Sequence, residues 1–305
     1  MTPSTQPAQP SDPKLGLGVA FQGVLAVPAW PGTVPLPIAD AKAAGCDWVS
    51  IPVGPADPLS GPLLSTNHTN LATAVAACQA AGLAVLVPPH NDNDQPDAIR
   101  LQWFLDFPAY LARFTAICGA LKGFGCIVEL WNEADYSEAD AGRYGLTWGS
   151  MQTLYGCATK LAAVARQNGL KVALPLPLDQ SPEAALILQQ NGGFPWDAMA
   201  AIRADYVTGH VYAVAGGLPL RTRLRTLTDT VAELRSTLLL TETNFGAAPW
   251  RVTNCECEYV AQGIGRCIWQ YVMDPPSTSD FSNPGFRTAL EAAHTPVAAS
   301  LASTT

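Results

Sequence analysis

Glu133 and Glu242 each follow a short apolar run, in VELWNEAD and LLLTETNF. Two carboxylic acids delivered from separate segments can divide the labour of breaking an acetal bond. One gives its proton to the leaving oxygen while the other, ionised, faces the electrophilic carbon. At a carboxyl separation of ~5–5.5 Å the second group attacks directly and a covalent intermediate forms, whereas a wider gap admits a water. In this scheme Glu133 is the acid, its pKa raised by a partly apolar pocket and by the neighbouring negative charge, and later the base. Glu242 stays ionised as the nucleophile. Both roles require a fold that brings the two side chains to one pocket.

The elements that must do so are legible as alternating patterns. Short apolar or β-branched runs occur at 15–21, 47–53, 83–89, 126–132, 171–176, 205–212, 237–243 and 267–274. Longer Ala/Leu-rich amphipathic stretches lie between them, at 67–82, 107–125, 151–169 and 181–193, with weaker ones at 35–45 and 286–293. Strict alternation of strand and helix implies parallel strands buried on both faces, and eight such units close into a (β/α)8 TIM barrel. An open doubly wound sheet is the rival architecture, but no GxGxxG or GxxxxGK[ST] follows any strand. Residues 15–295 contain no linker and form a single barrel domain. Residues 1–14, rich in Pro, Ser, Thr and Gln, read as a disordered leader, and 296–305 as a flexible tail.

In such a barrel, chemistry sits at the carboxyl ends of the strands. There the sequence places Asn132 with Glu133 after the fourth strand, His210 and Tyr212 at the sixth, and Glu242 at the seventh. His90 and Asn91 follow the third strand, and Trp269 and Gln270 lie in the eighth. Period-two counting puts Glu129 on the face of Glu133 but deeper, enclosed in the barrel, with a structural, hydrogen-bonded role.

WNEAD after strand 4 and TETNF on strand 7 resemble the clan A glycoside hydrolases, the 4/7 superfamily, and look most like families 5 and 39. The match spans the barrel in outline and is specific at these motifs. It implies a retaining glycoside hydrolase that cleaves β-glycosidic bonds of a neutral glycan by double displacement, without a cofactor. Glu133 would be acid/base and Glu242 nucleophile, with Asn132 hydrogen-bonded to the sugar 2-hydroxyl. GHVYA looks like the family's His-x-Tyr, so Tyr212 would hydrogen-bond Glu242 and His210 would line the pocket. LVPPHN resembles the strand 3 ending whose His, here His90, contacts substrate. IWQYV places Trp269 where the family stacks an aromatic ring under the sugar. One position departs: family 5 commonly has an arginine in a strand 2 segment like VRIPV, and this chain has Ser50. That removes a positive charge favouring the Glu242 carboxylate. It lends weight to a second reading, a catalytically weak or inactive barrel that binds carbohydrate or serves a structural role, for instance in a virus particle.

Composition narrows the partners. The chain of 305 residues has net charge −8, is 48% hydrophobic and 14% charged, and carries no basic block. Such a surface repels phosphate backbones and anionic membranes, so an oligo- or polysaccharide is the expected partner rather than nucleic acid or membrane. No apolar segment resembles a signal peptide, which leaves the cytoplasm or export by a route not encoded in the chain. The cysteines read as reduced, buried fillers, with Cys255 and Cys257 in a CxC that lacks partners at zinc spacing. The histidines, 68, 90, 210 and 294, form no HxH, so no metal site is expected. Loop 91–97, NDNDQPD, reads as solvated rather than calcium-binding. Trp30, Tyr136, Tyr144, Trp148 and Trp250 are further candidates for stacking on a sugar. Sugar identity, endo or exo action and oligomeric state are not encoded in these motifs.

Overall fold

The computed structural model describes residues 15–21, 25, 36–54, 57, 59–60, 69–89, 106–132, 149–176, 196–212, 220–244, 258–268 and 288, apart from 55–56 and 58. At Tyr212, Glu242 and Asn244, among others, the backbone alone is described. Eight strands close into a barrel in chain order: β1 (Leu17–Ala20), β2 (Trp48–Ser50), β3 (Ala84–Val87), β4 (Ile127–Glu129), β5 (Lys171–Pro175), β6 (Tyr206–Tyr212), β7 (Thr237–Asn244) and β8 (Gly265–Ile268). Every neighbouring pair is parallel, including β8 with β1. The expected TIM barrel is the fold observed.

Helices α1 (Ile38–Ala43), α2 (Leu71–Ala80), α3 (Phe107–Ala120), α4 (Gly149–Gln167), α5 (Trp196–Ile202) and α6 (Leu220–Glu233) lie between the strands. Asn70 caps α2 through the amide of Thr73 at 2.9 Å, and Asp106 caps α3 through that of Ala109 at 3.1 Å. Helix α6 is absent from the amphipathic runs read above because LRTRLRTLTDTVAE is mostly polar. Its Leu224, Leu227 and Val231 nonetheless bury a stripe at helical spacing. Strand β8 starts two residues earlier than its apolar run, at Gly265 and Arg266. Neither residue favours a strand by type. At Gly265, however, a side chain would collide with the Leu15 carbonyl and Leu239, so close packing explains the glycine. The run at 181–193 and nearly all of 286–293, the leader and the tail lie outside the described residues.

Two apolar layers divide the core. The outer one sets Leu17, Val19, Val49, Ile51, Val85, Val128, Val172, Val207 and Leu240 against the helices. The inner one fills the barrel with Trp48, Leu86, Ile127, Ala173, Tyr206, Leu239 and Cys267. Trp48 lies over Gly18, where any Cβ would overlap the indole, and its Nε1 donates to the Gly16 carbonyl at 3.2 Å. At the β8–β1 seam the Arg266 amide donates to that same carbonyl at 3.0 Å, and the Gly16 amide donates to Asp47 Oδ2 at 3.1 Å. Burial pulls the Arg266 guanidinium down to about 10, and the charge of Asp47 opposes the shift. Among the described residues, no helix is long and apolar enough to cross a membrane.

Cys46, Cys78, Cys118, Cys126 and Cys267 are buried free thiols, and Cys157 is a half-buried one. Burial pushes the first four up to about 12, from 9.0. Above pH 9 the unfolded chain ionises these thiols while the folded chain keeps them protonated. Their contribution is complete below pH 9 and is lost as pH rises toward 12, at roughly 1 kcal/mol per pH unit for each thiol. Urea stability measured from pH 8.5 to 10.5 therefore falls, and more shallowly in Cys78→Ala.

The turns between helix and strand add a second expectation. After α4, Gly169 (φ 73) reverses the chain, and the Leu170 amide donates back to the Ala165 carbonyl at 3.1 Å. After α6 the same left-handed position is held by exposed Arg235 (φ 52). Arg235→Gly should relieve ~0.5–1 kcal/mol of backbone strain and raise Tm by roughly 1–3 °C, read by calorimetry.

Candidate active site at the carboxyl ends of the strands

The rim of β4 is held from two helices. Tyr110 of α3 donates its hydroxyl to the Leu130 carbonyl at 2.6 Å. Tyr155 of α4 does the same to the Pro175 carbonyl, at the end of β5, at 2.7 Å. Both tyrosines are buried, and burial pushes the Tyr110 hydroxyl pKa up. Tyr155 also meets Trp131 edge to face, with ring centroids 5.3 Å apart. The backbone leading into Asn132 and Glu133 is thus clamped at Leu130 and packed at Trp131. Asn132 is half-buried. Glu133 itself lies outside the described residues, as do His90 and Trp269.

On the other side of the ring, β6 and β7 pair over seven positions, and the register changes once. Thr208 pairs with Leu239 and His210 with Glu242, two steps on β6 against three on β7. Seen from β8, Leu240 pairs with Arg266 and Thr243 with Ile268, three steps on β7 against two. Strand β7 therefore carries one extra residue, a β-bulge at 241–242. Its consequence is large. Leu238 and Leu240 belong to the outer layer, and unbroken alternation would put position 242 there too. The extra residue brings its backbone level with His210 of β6 instead. Two register steps higher, Tyr212 pairs with Asn244. Three of the expected site residues, His210, Tyr212 and Glu242, are thereby gathered at the ends of two adjacent strands. His210 is buried there.

Below this level lies Glu129, fully buried inside the ring, where pleat counting puts it. Its Oε1 accepts hydrogen bonds from Thr208 of β6 and from Thr241 of β7, the latter at 3.2 Å. The sequence reading missed both threonines as partners. Thr208 was findable, since it stands two residues before His210 on the same strand face. Ser50, level with Ala20 and Leu86 in register, is also buried, and its hydroxyl has no hydrogen-bond partner among the described residues. No arginine takes its place among the described inner positions. Nor, among the described residues, does any cluster of His, Cys, Asp and Glu offer a metal site.

No family model matches the sequence, and no curated protein matches it. Solved structures do match in fold. A GH5-4 broad specificity endoglucanase from Clostridium longisporum superposes with a TM-score of 0.62 at 14% identity, over 93% of this chain and 97% of that one. The Thermobifida fusca endoglucanase Cel5A, solved in complex with cellotetraose, gives 0.57 at 14% identity over 92% of each chain. The catalytic domain of a Streptomyces mannanase gives 0.51 at 14% identity, over 81% of this chain and 74% of that one. The chain thus shares its closed (β/α)8 barrel fold with these endoglucanases and the mannanase, the fold that the resemblance to clan A implied.

The tyrosine clamp on β4 can be tested directly. Tyr110→Phe leaves the buried Leu130 carbonyl without its donor and should cost about 1–3 kcal/mol in urea unfolding. An unchanged midpoint would show that the clamp contributes nothing.

Proposed function

We propose that the chain is a retaining β-glycoside hydrolase acting on a neutral oligo- or polysaccharide, with Glu133 as acid/base and Glu242 as nucleophile. The observation that carries this reading is the β7 bulge. Without it, position 242 would belong to the dry outer layer, where a carboxylate costs several kcal/mol. With it, the backbone of position 242 pairs with His210 of β6, which supports an inward-facing carboxylate. In sequence Glu133 follows the clamped Leu130 and Trp131 after β4, and strand ends are where barrel enzymes carry out their chemistry. The structural neighbours are endoglucanases and a mannanase, which supports a glycan as substrate.

Cleavage would begin with Glu133 protonating the glycosidic oxygen while Glu242 attacks the anomeric carbon. The bond to the leaving sugar breaks, and a glycosyl ester forms on Glu242. Glu133, now a carboxylate, then takes a proton from water, which attacks the same carbon and releases Glu242. Asn132 would hold the 2-hydroxyl, Tyr212 would hydrogen-bond Glu242, His90 and His210 would line the subsite, and Trp269 would stack beneath the ring. Ser50 supports the second reading, a barrel that binds glycan with little or no turnover. It places an uncharged, unpartnered hydroxyl where an arginine would favour the ionised nucleophile.

Turnover of aryl β-glycosides separates the two readings. Glu242→Ala should lose at least ~10³-fold in kcat with every substrate. Glu133→Gln should slow release of a sugar leaving group by ~10²–10⁴-fold yet spare release of dinitrophenol from a dinitrophenyl glycoside, whose leaving group needs no proton, while slowing the hydrolysis of the glycosyl ester that follows. Binding without hydrolysis across a broad panel of glycans would instead establish the inactive barrel.

A further inference from the structure

A bulge in a buried parallel strand interrupts the ladder that would otherwise hold it, and here the gap falls between Leu240 and Thr243. Two side chains flank position 242 across that gap. Thr243 donates its hydroxyl to the Cys267 carbonyl of β8 at 2.8 Å. Thr241 donates inward to Glu129 Oε1, which also accepts from Thr208. Thr241 is thus the bulge residue that β4 holds from across the ring, and Glu129 ties β4 to β6 and β7 just below His210. An isolated carboxylate is costly to bury, and an aliphatic residue would fill this position without needing two hydroxyl donors.

We propose that Glu129 and Thr241 are positioning residues for Glu242. Their hydrogen bond holds the bulge in the register that pairs residue 242 with His210, so the carboxylate at the centre of the barrel sets the place of residue 242. The proposal rests on reading Glu242 as the nucleophile, and it assigns no contact with substrate to either Glu129 or Thr241.

The test compares Thr241→Val, which removes the hydroxyl at constant shape, with Thr241→Ser, which keeps it. Thr208→Val, which removes the other donor to Glu129 without touching the bulge, serves as the control. Two quantities are read: kinetics on an aryl β-glycoside, and amide hydrogen exchange over residues 239–244. Thr241→Val should lower kcat by ~10–100-fold with KM within ~3-fold, since a displacement near 1 Å can cost two orders of magnitude. Exchange across 239–244 should quicken at least ~10-fold while β1–β3 stay protected. Thr241→Ser should restore both to within ~3-fold, and Thr208→Val should change kcat by less than ~3-fold. Should Thr241→Val fold poorly, Thr241→Ala removes the same hydroxyl with less crowding. Unchanged kcat and exchange in Thr241→Val would overturn the proposal. So would equal losses in Thr241→Val and Thr208→Val, which would reduce the cluster to general core support. If the wild-type chain hydrolyses nothing, the functional reading fails on its own, and hydrogen exchange still decides whether Thr241 holds the bulge.

Discussion

Closing eight parallel strands into a ring leaves each residue one of two destinations, the packed interior of the ring or the apolar layer beneath the helices. Neither offers water to a carboxylate except where the inner face reaches the mouth. Along β7 the pattern TLLLTETN obeys this rule as far as Leu240, with Leu239 inside and Leu238 and Leu240 outside. The extra residue at 241–242 then resets the alternation, and His210 and Glu242 come level. The pairing of position 242 with His210 follows from that reset. So does the pairing of Tyr212 with Asn244 two residues further out.

The opposite rim is built for rigidity by different means. Strand β4 itself is short, Ile127–Glu129, and its continuation is held by a tyrosine hydroxyl on the Leu130 carbonyl and by the packing of Trp131 on Tyr155. Both tyrosines reach from the helix that precedes their strand, so helix and strand end move as one unit. Glu129 joins this rim to the β6–β7 side through the interior. The far end of the barrel is closed by Trp48 over Gly18 and by the Gly16, Asp47 and Arg266 contacts at the seam. A reaction that depends on the separation of two carboxyl groups needs such supports, because each group is only as well placed as the backbone that carries it.

Much of this was legible in the sequence. The apolar runs located all eight strands, and their alternation with helices called for a closed barrel. Period-two counting along VELWNE placed Glu129 inside it. Elements built from polar residues escaped notice: α6 hides its buried stripe among arginines and threonines, and β8 opens on a glycine and an arginine. The bulge escaped for a deeper reason. It is defined by pairing with β6 and β8, strands remote in sequence or separated by a long connection, and straight counting from Leu238 would have sent Glu242 outward. The motif TETNF drew attention to Glu242 through resemblance, whereas straight counting along the local pattern would have placed it with the outer layer. The bonds from Thr208 and Thr241 to Glu129 are likewise long-range, spanning 79 and 112 residues of chain.

The central claim is that Glu133 and Glu242 converge across the mouth as a retaining pair. A crystal structure of the chain with a bound oligosaccharide, read for the distance between these carboxyl groups, tests it most directly. The account predicts ~5–5.5 Å with the anomeric carbon between them, and a separation beyond ~6.5 Å, or a Glu242 side chain turned away from the sugar, would contradict it.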